Sequence, residues 1–420
     1  MFPILAPLLS LAALGPASPG PCGITATPVS QDALATLVAN DDAFASRLYA
    51  QLQSTPGNIV VSPLSLSTTL SMTLAGARGD TAKEIHSALQ STLPDQTLAD
   101  AKATLLKEIG CRPGVDYELT SADALWGQTG YGLAEAFKQV LAQDYGAVYR
   151  TVDFQGAPAE ARKTINDWAA AQTHDRIKSL LPDTYGLRDT RLVLTNALYY
   201  KGSWVNGFDP NKTTARDFRL SDGTTAQVPT MERYFEDLLY HEFPEYSAVA
   251  MPLVKKLDTN DVAQDLIVVL PHDRNGLAAV EKSLTDRPES LQAAVDELFK
   301  WYEVQVHVQL PKFTIRSRYA LKSMLAGLGI DLAFDPGRAD LSGITGNPAD
   351  HLFVEQVFQQ GYLDVNEKGI EAAAASAVTA GPGAAPQWEE FTADHPFLYV
   401  LVDHDTKAIL FLGRIVDPRG

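Results

Sequence analysis

Cysteine is nearly absent from this chain: Cys22 and Cys111 are the only two in 420 residues. Two thiols cannot build a disulfide framework, although a single bridge between them stays open. Basic residues are also few. Lys and Arg total 34 against 51 Asp and Glu, a formal charge of −17, with no Lys/Arg cluster to offset it. That balance argues against nucleic acid as a partner. The segment from Gln96 to Ile109 reads as an early surface helix and carries only Lys102 and Lys107, so no polyanion activation is expected. No low-complexity linker and no internal repeat divides the chain. Apolar residues make up 45% and charged residues 20%, which describes an ordinary globular protein with ample core.

Catalytic signatures are missing too. There is no Gly-x-Ser-x-Gly elbow, no His-Glu-x-x-His and no catalytic-type cysteine context. Tyr240-His-Glu-Phe-Pro244 lacks the second histidine of a zinc helix, and Gly381-Pro-Gly383 lacks the strand-turn-helix setting of a dinucleotide loop. The eight histidines are scattered. A triad assembled only by folding is not legible in one sequence, and nothing points to one. The chain is therefore expected to be no enzyme, with no cofactor and no metal.

The N-terminal run from Phe2 to Leu14 is too short to span a membrane. Small residues follow it through Ala17 and Ser18, so it resembles the core of a secretory signal, without the usual basic residues ahead of it. Residues 1–23 are expected to be an export segment and the protein to be secreted. Periplasmic residence, or a lipid anchor on Cys22, is the alternative, and Pro21 suits the anchor poorly. Asn211-Lys-Thr213 fits the N-glycosylation pattern, a triplet common by chance.

Residues 30–420 read as one domain. Asp41 to Leu52 has helical spacing, and Asn58 to Val61 is a short buried strand. Ser62-Pro63 supplies an N-cap and a first-turn proline for a helix carrying Leu66, Leu70 and Leu74 on one stripe. Thr81 and Glu84 have capping-box spacing. Thr190 to Tyr200 reads as a central strand covered on both faces. Asp222-Gly223 marks a hairpin turn, and Leu266 to Leu270 a core strand. Val304, Val306, Val308 and Leu310 alternate with polar residues as an amphipathic strand, and Pro396–Val402 with Ala408–Leu412 forms a buried hairpin. Helices first and strands after suggest an α+β domain with large sheets.

The most telling segment is Asn366 to Ala380. At even positions from 370 to 380 it carries Ile, Ala, Ala, Ser, Val and Ala, with Glu371 and Thr379 on the other parity. That is the period of a half-buried strand, built from side chains small enough to slide between two existing strands. An Ala-rich helix or a linker would share this composition.

In chain order, Asn58-Ile-Val-Val-Ser-Pro-Leu-Ser65 with Ala75-Gly-Ala-Arg-Gly-Asp-Thr-Ala82, Thr195-Asn-Ala-Leu-Tyr-Tyr-Lys-Gly-Ser-Trp204, Leu310-Pro-Lys-Phe313 with Ala333 to Gly343, Val365-Asn-Glu-Lys-Gly369, and Ala393-Asp-His-Pro-Phe397 with Phe411 to Pro418 resemble the serpin family. The match runs from about residue 40 to the C-terminus. The resemblance implies a serpin fold of three β-sheets and eight or nine helices, with an exposed reactive-centre loop around 367–390. It implies a suicide inhibitor of serine endopeptidases, acting as a monomer. A protease attacks the loop, and the freed arm inserts into the main sheet, dragging the acyl-enzyme with it. Glu367 and Gly369 would form the hinge, and Ile370, Glu371, Ala372, Ala373, Ala374, Ala375 and Ser376 the inserting arm. Ile370 departs from the family's Thr or Ser.

By family position, Ser62, Ser65, Asn196 and Gln359 would hold the strand gap closed, Gln359 replacing the usual histidine. Trp204 would sit at the top of the sheet. Family spacing puts the scissile bond at Gly383-Ala384, with Ala384-Ala385 the runner-up. Small residues there suit elastase-like or subtilisin-like proteases with a small primary pocket. The competing reading is a serpin-fold binding protein that is cleaved as a plain substrate.

Overall fold

The computed structural model describes residues 21–25, 27–112, 115, 117–255, 261–370 and 388–420. The helices are α1 (Gln31–Leu52), α2 (Pro63–Gly76), α3 (Gly79–Ala88), α4 (Asp95–Gly110), α5 (Glu135–Asp144), α6 (Pro158–Gln172), α7 (Leu277–Thr285), α8 (Ser290–Leu298), α9 (Lys322–Gly327) and α10 (Ser342–Thr345). The first eight strands are β1 (Ile59–Val61), β2 (Tyr117–Gln128), β3 (Val148–Val152), β4 (Leu192–Ser203), β5 (Thr214–Arg219), β6 (Thr225–Glu242), β7 (Tyr246–Lys255) and β8 (Val262–Pro271). Then follow β9 (Glu303–Pro311), β10 (Phe313–Ala320), β11 (Gln356–Asn366), β12 (Gly369–Ile370), β13 (Glu389–Thr392), β14 (Phe397–Asp403) and β15 (Ile409–Ile415). The mixed α+β class agrees with the sequence reading.

One sheet of six strands runs β10-β11-β12-β4-β2-β3, and a nine-stranded assembly runs β1-β15-β14-β8-β7-β6-β9-β13 with β5 on β6. Among the described residues hydrogen bonding joins the strands into two sheets, because β6 links β5 and β9 to β7 in one continuous assembly, and this agrees with the serpin fold. The first part of β6 pairs with β5 and β9, its last part with β7, and its register against β9 shifts between Phe235 and Leu238.

β4 is buried on both faces from Leu192 to Tyr200, as expected of Thr190 to Tyr200. Leu192, Leu194, Leu198 and Tyr200 of β4 face the main core. Val193, Ala197 and Tyr199 face a second core with Trp126, Trp168 and Phe358. In β9, Val306, Val308 and Leu310 are buried, but Val304 is exposed at the strand's start.

Ser62 caps α2 by accepting from the Ser65 N–H at 3.2 Å. That helix is buried almost all round, and its hydroxyls remain satisfied by donating back one turn: Thr68 to Leu64 O, Ser71 to Ser67 O and Thr73 to Thr69 O.

Three local expectations need correction. The helix ending at Leu52 begins at Gln31, capped by Ser30, and Asp41 and Asp42 lie buried within it instead of opening it. Thr81 and Glu84 do not cap each other. The Thr81 hydroxyl accepts from Asp340 N–H and the Glu84 carboxylate from the Asp331 and Leu332 N–H groups, so tertiary partners displace the local box. Lys102 is not on the surface: it is fully buried, donating to Asp41 Oδ1 at 2.8 Å and Ser67 Oγ at 2.9 Å.

Cys22 and Cys111 form a disulfide. It fastens the start of the described chain to the end of α4, and Thr25 N–H donates to Gln143 O at 2.9 Å beside α5. Of residues 1–23, expected to be an export segment, residues 1–20 lie outside the described residues.

Candidate functional site: the slot between β4 and β11

β4 and β11 run parallel and pair from Val193↔Gln356 to Tyr199↔Tyr362. Above that point they diverge, and β12 lies between them. Gly369 pairs with Ser203 of β4 and Asn366 of β11; Ile370 pairs with Gly202 and Val365. The chain reaches this position by a tight reversal at Glu367 and Lys368, so β11 and β12 form a hairpin. Ile370 is fully buried in the main core.

Glycine is required at 369. Its φ is +139°, and a Cβ there would stand 2.3 Å from Gly202 O and 2.7 Å from Ser203 Cα, both backbone atoms. The reversal is fixed on all sides. Trp204 N–H donates to Lys368 O at 3.0 Å and Phe208 N–H to Glu367 O at 2.8 Å. The Trp204 indole N–H donates to Asn366 O at 2.8 Å, while its ring packs edge-on against Phe208.

Glu367 is held by Lys312 Nζ at 2.9 Å and by the Thr213 hydroxyl at 2.7 Å. Desolvation works against its charge, but the bonds from Lys312 and Thr213 outweigh that and keep its carboxyl below the usual range.

Lower in the slot, Ser62, Ser65, Asn196 and Gln359 meet in one buried cluster. Gln359 Nε2 donates to Ser62 O at 3.0 Å and to Asn196 Oδ1 at 2.8 Å, and its Oε1 accepts from Ser62 N–H at 3.3 Å. The bond to Asn196 crosses from β11 to β4, directly in the path an inserting strand would take.

Two members escaped sequence reasoning. Asp123 Oδ1 accepts from Ser65 Oγ at 3.2 Å, from Thr69 Oγ1 at 3.1 Å and from Asn196 Nδ2. A lone acid between Ala122 and Ala124 on a buried strand was the available signal. Thr69 stands one turn beyond Ser65 on α2, which its spacing could have shown. Glu371, Ala372, Ala373, Ala374, Ala375, Ser376, Gly383, Ala384 and Ala385 lie outside the described residues.

Among the described residues no His/Cys/Asp/Glu group is arranged to hold a metal, and no helix is long and apolar enough to cross a membrane. What the geometry offers is a slot whose upper end is already occupied by the start of an arm and whose lower end is closed by polar side chains that can part.

Comparison with known proteins agrees with this architecture. Residues 39–418 match the family model described as "Serpin (serine protease inhibitor)". The leukocyte elastase inhibitor of Xenopus laevis is 35% identical over 373 residues, covering 86% of this chain and 93% of that protein. Human serpin B10 is 34% identical over 411 residues, 92% of this chain and all of that one. Among solved structures, Serpin48 of the insect Tenebrio molitor superposes with a TM-score of 0.79 at 28% identity, over 93% of this chain and all of that one. The chain belongs to the serpin family.

Proposed function

We propose that this serpin is a suicide inhibitor of serine endopeptidases. The observation that carries the reading is the burial of Gly369 and Ile370 between β4 and β11. The slot already accepts the arm's first residues, and the next residues, from Ala372 to Ser376, are all small apart from Glu371 before them. After cleavage, the arm would continue down the slot, parting Gln359 from Asn196 and forming a ladder with both neighbours. The attached protease would be carried along. Deacylation needs an aligned nucleophile, base and oxyanion hole, so a misplacement of about 1 Å costs orders of magnitude in rate.

Gly383-Ala384 is the proposed reactive bond, with Ala384-Ala385 next. A small primary pocket on the protease suits either, and the name of the Xenopus relative fits an elastase-like target. Acting as a trap, the protein is not a catalyst, and one copy suffices. Export agrees with the Cys22–Cys111 bridge only if the leader ends before Cys22, short of the 1–23 first expected; structural disulfides persist in oxidising compartments.

Incubation with elastase and with subtilisin, followed by denaturing electrophoresis, tests the reading. A covalent complex is expected. Clean cleavage with no complex would instead favour a serpin-fold binding protein. Ala372→Arg should turn the inhibitor into a substrate, because an unpaired guanidinium would have to enter the sheet. A variant that still forms the complex in full yield contradicts insertion.

A further inference from the structure

The loop's C-terminal anchor is weak by construction. β13 has four residues, lies at the edge of its assembly and pairs with β9 alone. How far the uncut arm can enter the slot depends on whether this strand stays seated.

His307 of β9 sits opposite Glu390 of β13 and opposite Tyr234 of β6. Although it occupies the polar parity of its strand, it is only 5% exposed. Its Nδ1 lies 2.7 Å from Glu390 Oε2 and its Nε2 3.0 Å from Glu232 Oε1. The Tyr234 ring stacks flat on the imidazole at 3.9 Å, and Trp388, the residue before β13, packs edge-on against Tyr234. Arg216 of β5 holds the other oxygen of Glu232 and donates to Gln309 Oε1 at 2.9 Å. The charged and titratable groups around the ring are thus Glu232 and Tyr234 from β6, Glu390 from β13 and, through Glu232, Arg216 from β5. Its strand neighbours Gln305 and Gln309 are neutral, and Gln305 is bonded to Glu236.

An ionised carboxylate only accepts, and a neutral imidazole has one N–H and one lone pair. Only the doubly protonated ring satisfies both carboxylates. When a proton leaves, the N–H stays toward Glu232, which Arg216 pins in place. The lone pair then faces Glu390, whose side chain is 63% exposed and can swing into water. The side-chain link between β9 and β13 is lost.

We infer that His307 is a proton-dependent clasp on β13, a positioning residue that keeps the loop's C-terminal end seated and the uncut arm out of the slot. This rests on the inhibitory reading above. Acid keeps the clasp closed; alkali opens it, gives the loop slack, and lets the arm insert without cleavage, which ends inhibitory capacity.

The test is to hold the protein at 37 °C at about pH 6 and about pH 8, across the ordinary range of histidine titration, and to measure residual complex formation with time. The half-life should fall about tenfold or more at the higher pH, the order expected for losing one charge-assisted bond. His307→Gln should be short-lived at both. Glu390→Gln should be long-lived at both, because its amide can donate to the neutral ring and accept from the charged one. Equal wild-type half-lives, or an unchanged pH profile in His307→Gln, would overturn the clasp. Fresh protein that forms no complex at either pH would count against the inhibitory reading alone. The clasp is then decided by amide exchange at Phe391 and Thr392, compared at about pH 6. Faster exchange in His307→Gln than in wild type supports it, and equal exchange overturns it.

Discussion

Single side chains decide whether the slot stays shut. Asp123 takes three donors, from Ser65, Thr69 and Asn196. Asp123→Ala removes their shared buried acceptor; Thr69 keeps Ser65 O and Asn196 keeps the Ser65 and Thr69 hydroxyls, and each bond lost without replacement costs about 1–3 kcal/mol before relaxation. We expect a net loss of about 2–4 kcal/mol, read from denaturant midpoints; a loss under about 0.5 kcal/mol, the scale of a surface change, would remove Asp123 from the cluster's support. Glu367 makes a prediction in pH. Its folded carboxyl titrates below the usual range, so its stabilisation is present above the unfolded value and fades as pH falls through the folded one. Glu367→Gln should therefore destabilise the protein at about pH 7 by about 1–2 kcal/mol, and the difference should shrink toward about pH 3. A gap that is constant with pH would mean that Lys312 and Thr213 do not favour the charged form.

At the scale of elements, β12 is the informative one. It is only two residues long, yet it has a strand on each side and a fully buried isoleucine. Ile370 thus anchors the start of the arm by packing as well as by its ladder. Ile370→Thr keeps the β-branch but removes the δ-methyl and places a hydroxyl in the apolar core, costing about 2–4 kcal/mol. Amide exchange at Gly202 and Ile370 should rise by about tenfold or more. Unchanged exchange would show that the ladder alone holds the arm.

Much of the element level was legible. Nearly continuous apolar runs gave β4, β8, β14 and β15, period-2 alternation gave β9, and the Ser62-Pro63 cap gave α2. Where the reading went astray, a distant partner had claimed a local signal. Lys102 reaches Asp41, and Thr81 and Glu84 serve the chain at 331–340. The hairpin at Glu367 and Lys368 was also hidden: Asn366, whose Oδ1 accepts from Lys368 N–H at 3.0 Å, and Gly369 are turn-forming residues, but the turn's place depends on the distant Lys312, Thr213, Trp204 and Phe208.

For the whole molecule, two features bear on metastability. In the six-stranded sheet β4 is buried on both faces and β11 nearly so, and a further strand between them would be largely covered as it entered. These two middle strands are joined low in the slot by the Gln359–Asn196 bond and separated at the top by β12. An inserting arm breaks that side-chain bridge and the parallel β4–β11 ladder from Val193 to Tyr199, and replaces them with backbone ladders on both of its edges. The site cluster was legible by family position for Ser62, Ser65, Asn196 and Gln359. Asp123 and Thr69 were not, since their role depends on how β2 and α2 are brought together.

The account stands on one claim: the intact polypeptide is trapped above its lowest free energy, and cutting the loop lets it descend. Thermal unfolding of the intact protein beside protein nicked by a protease within residues 371–387 measures this directly. The nicked form should melt at least about 20 °C higher, which in a domain of this size takes on the order of 15 kcal/mol of added stability. Coincident transitions would contradict the claim.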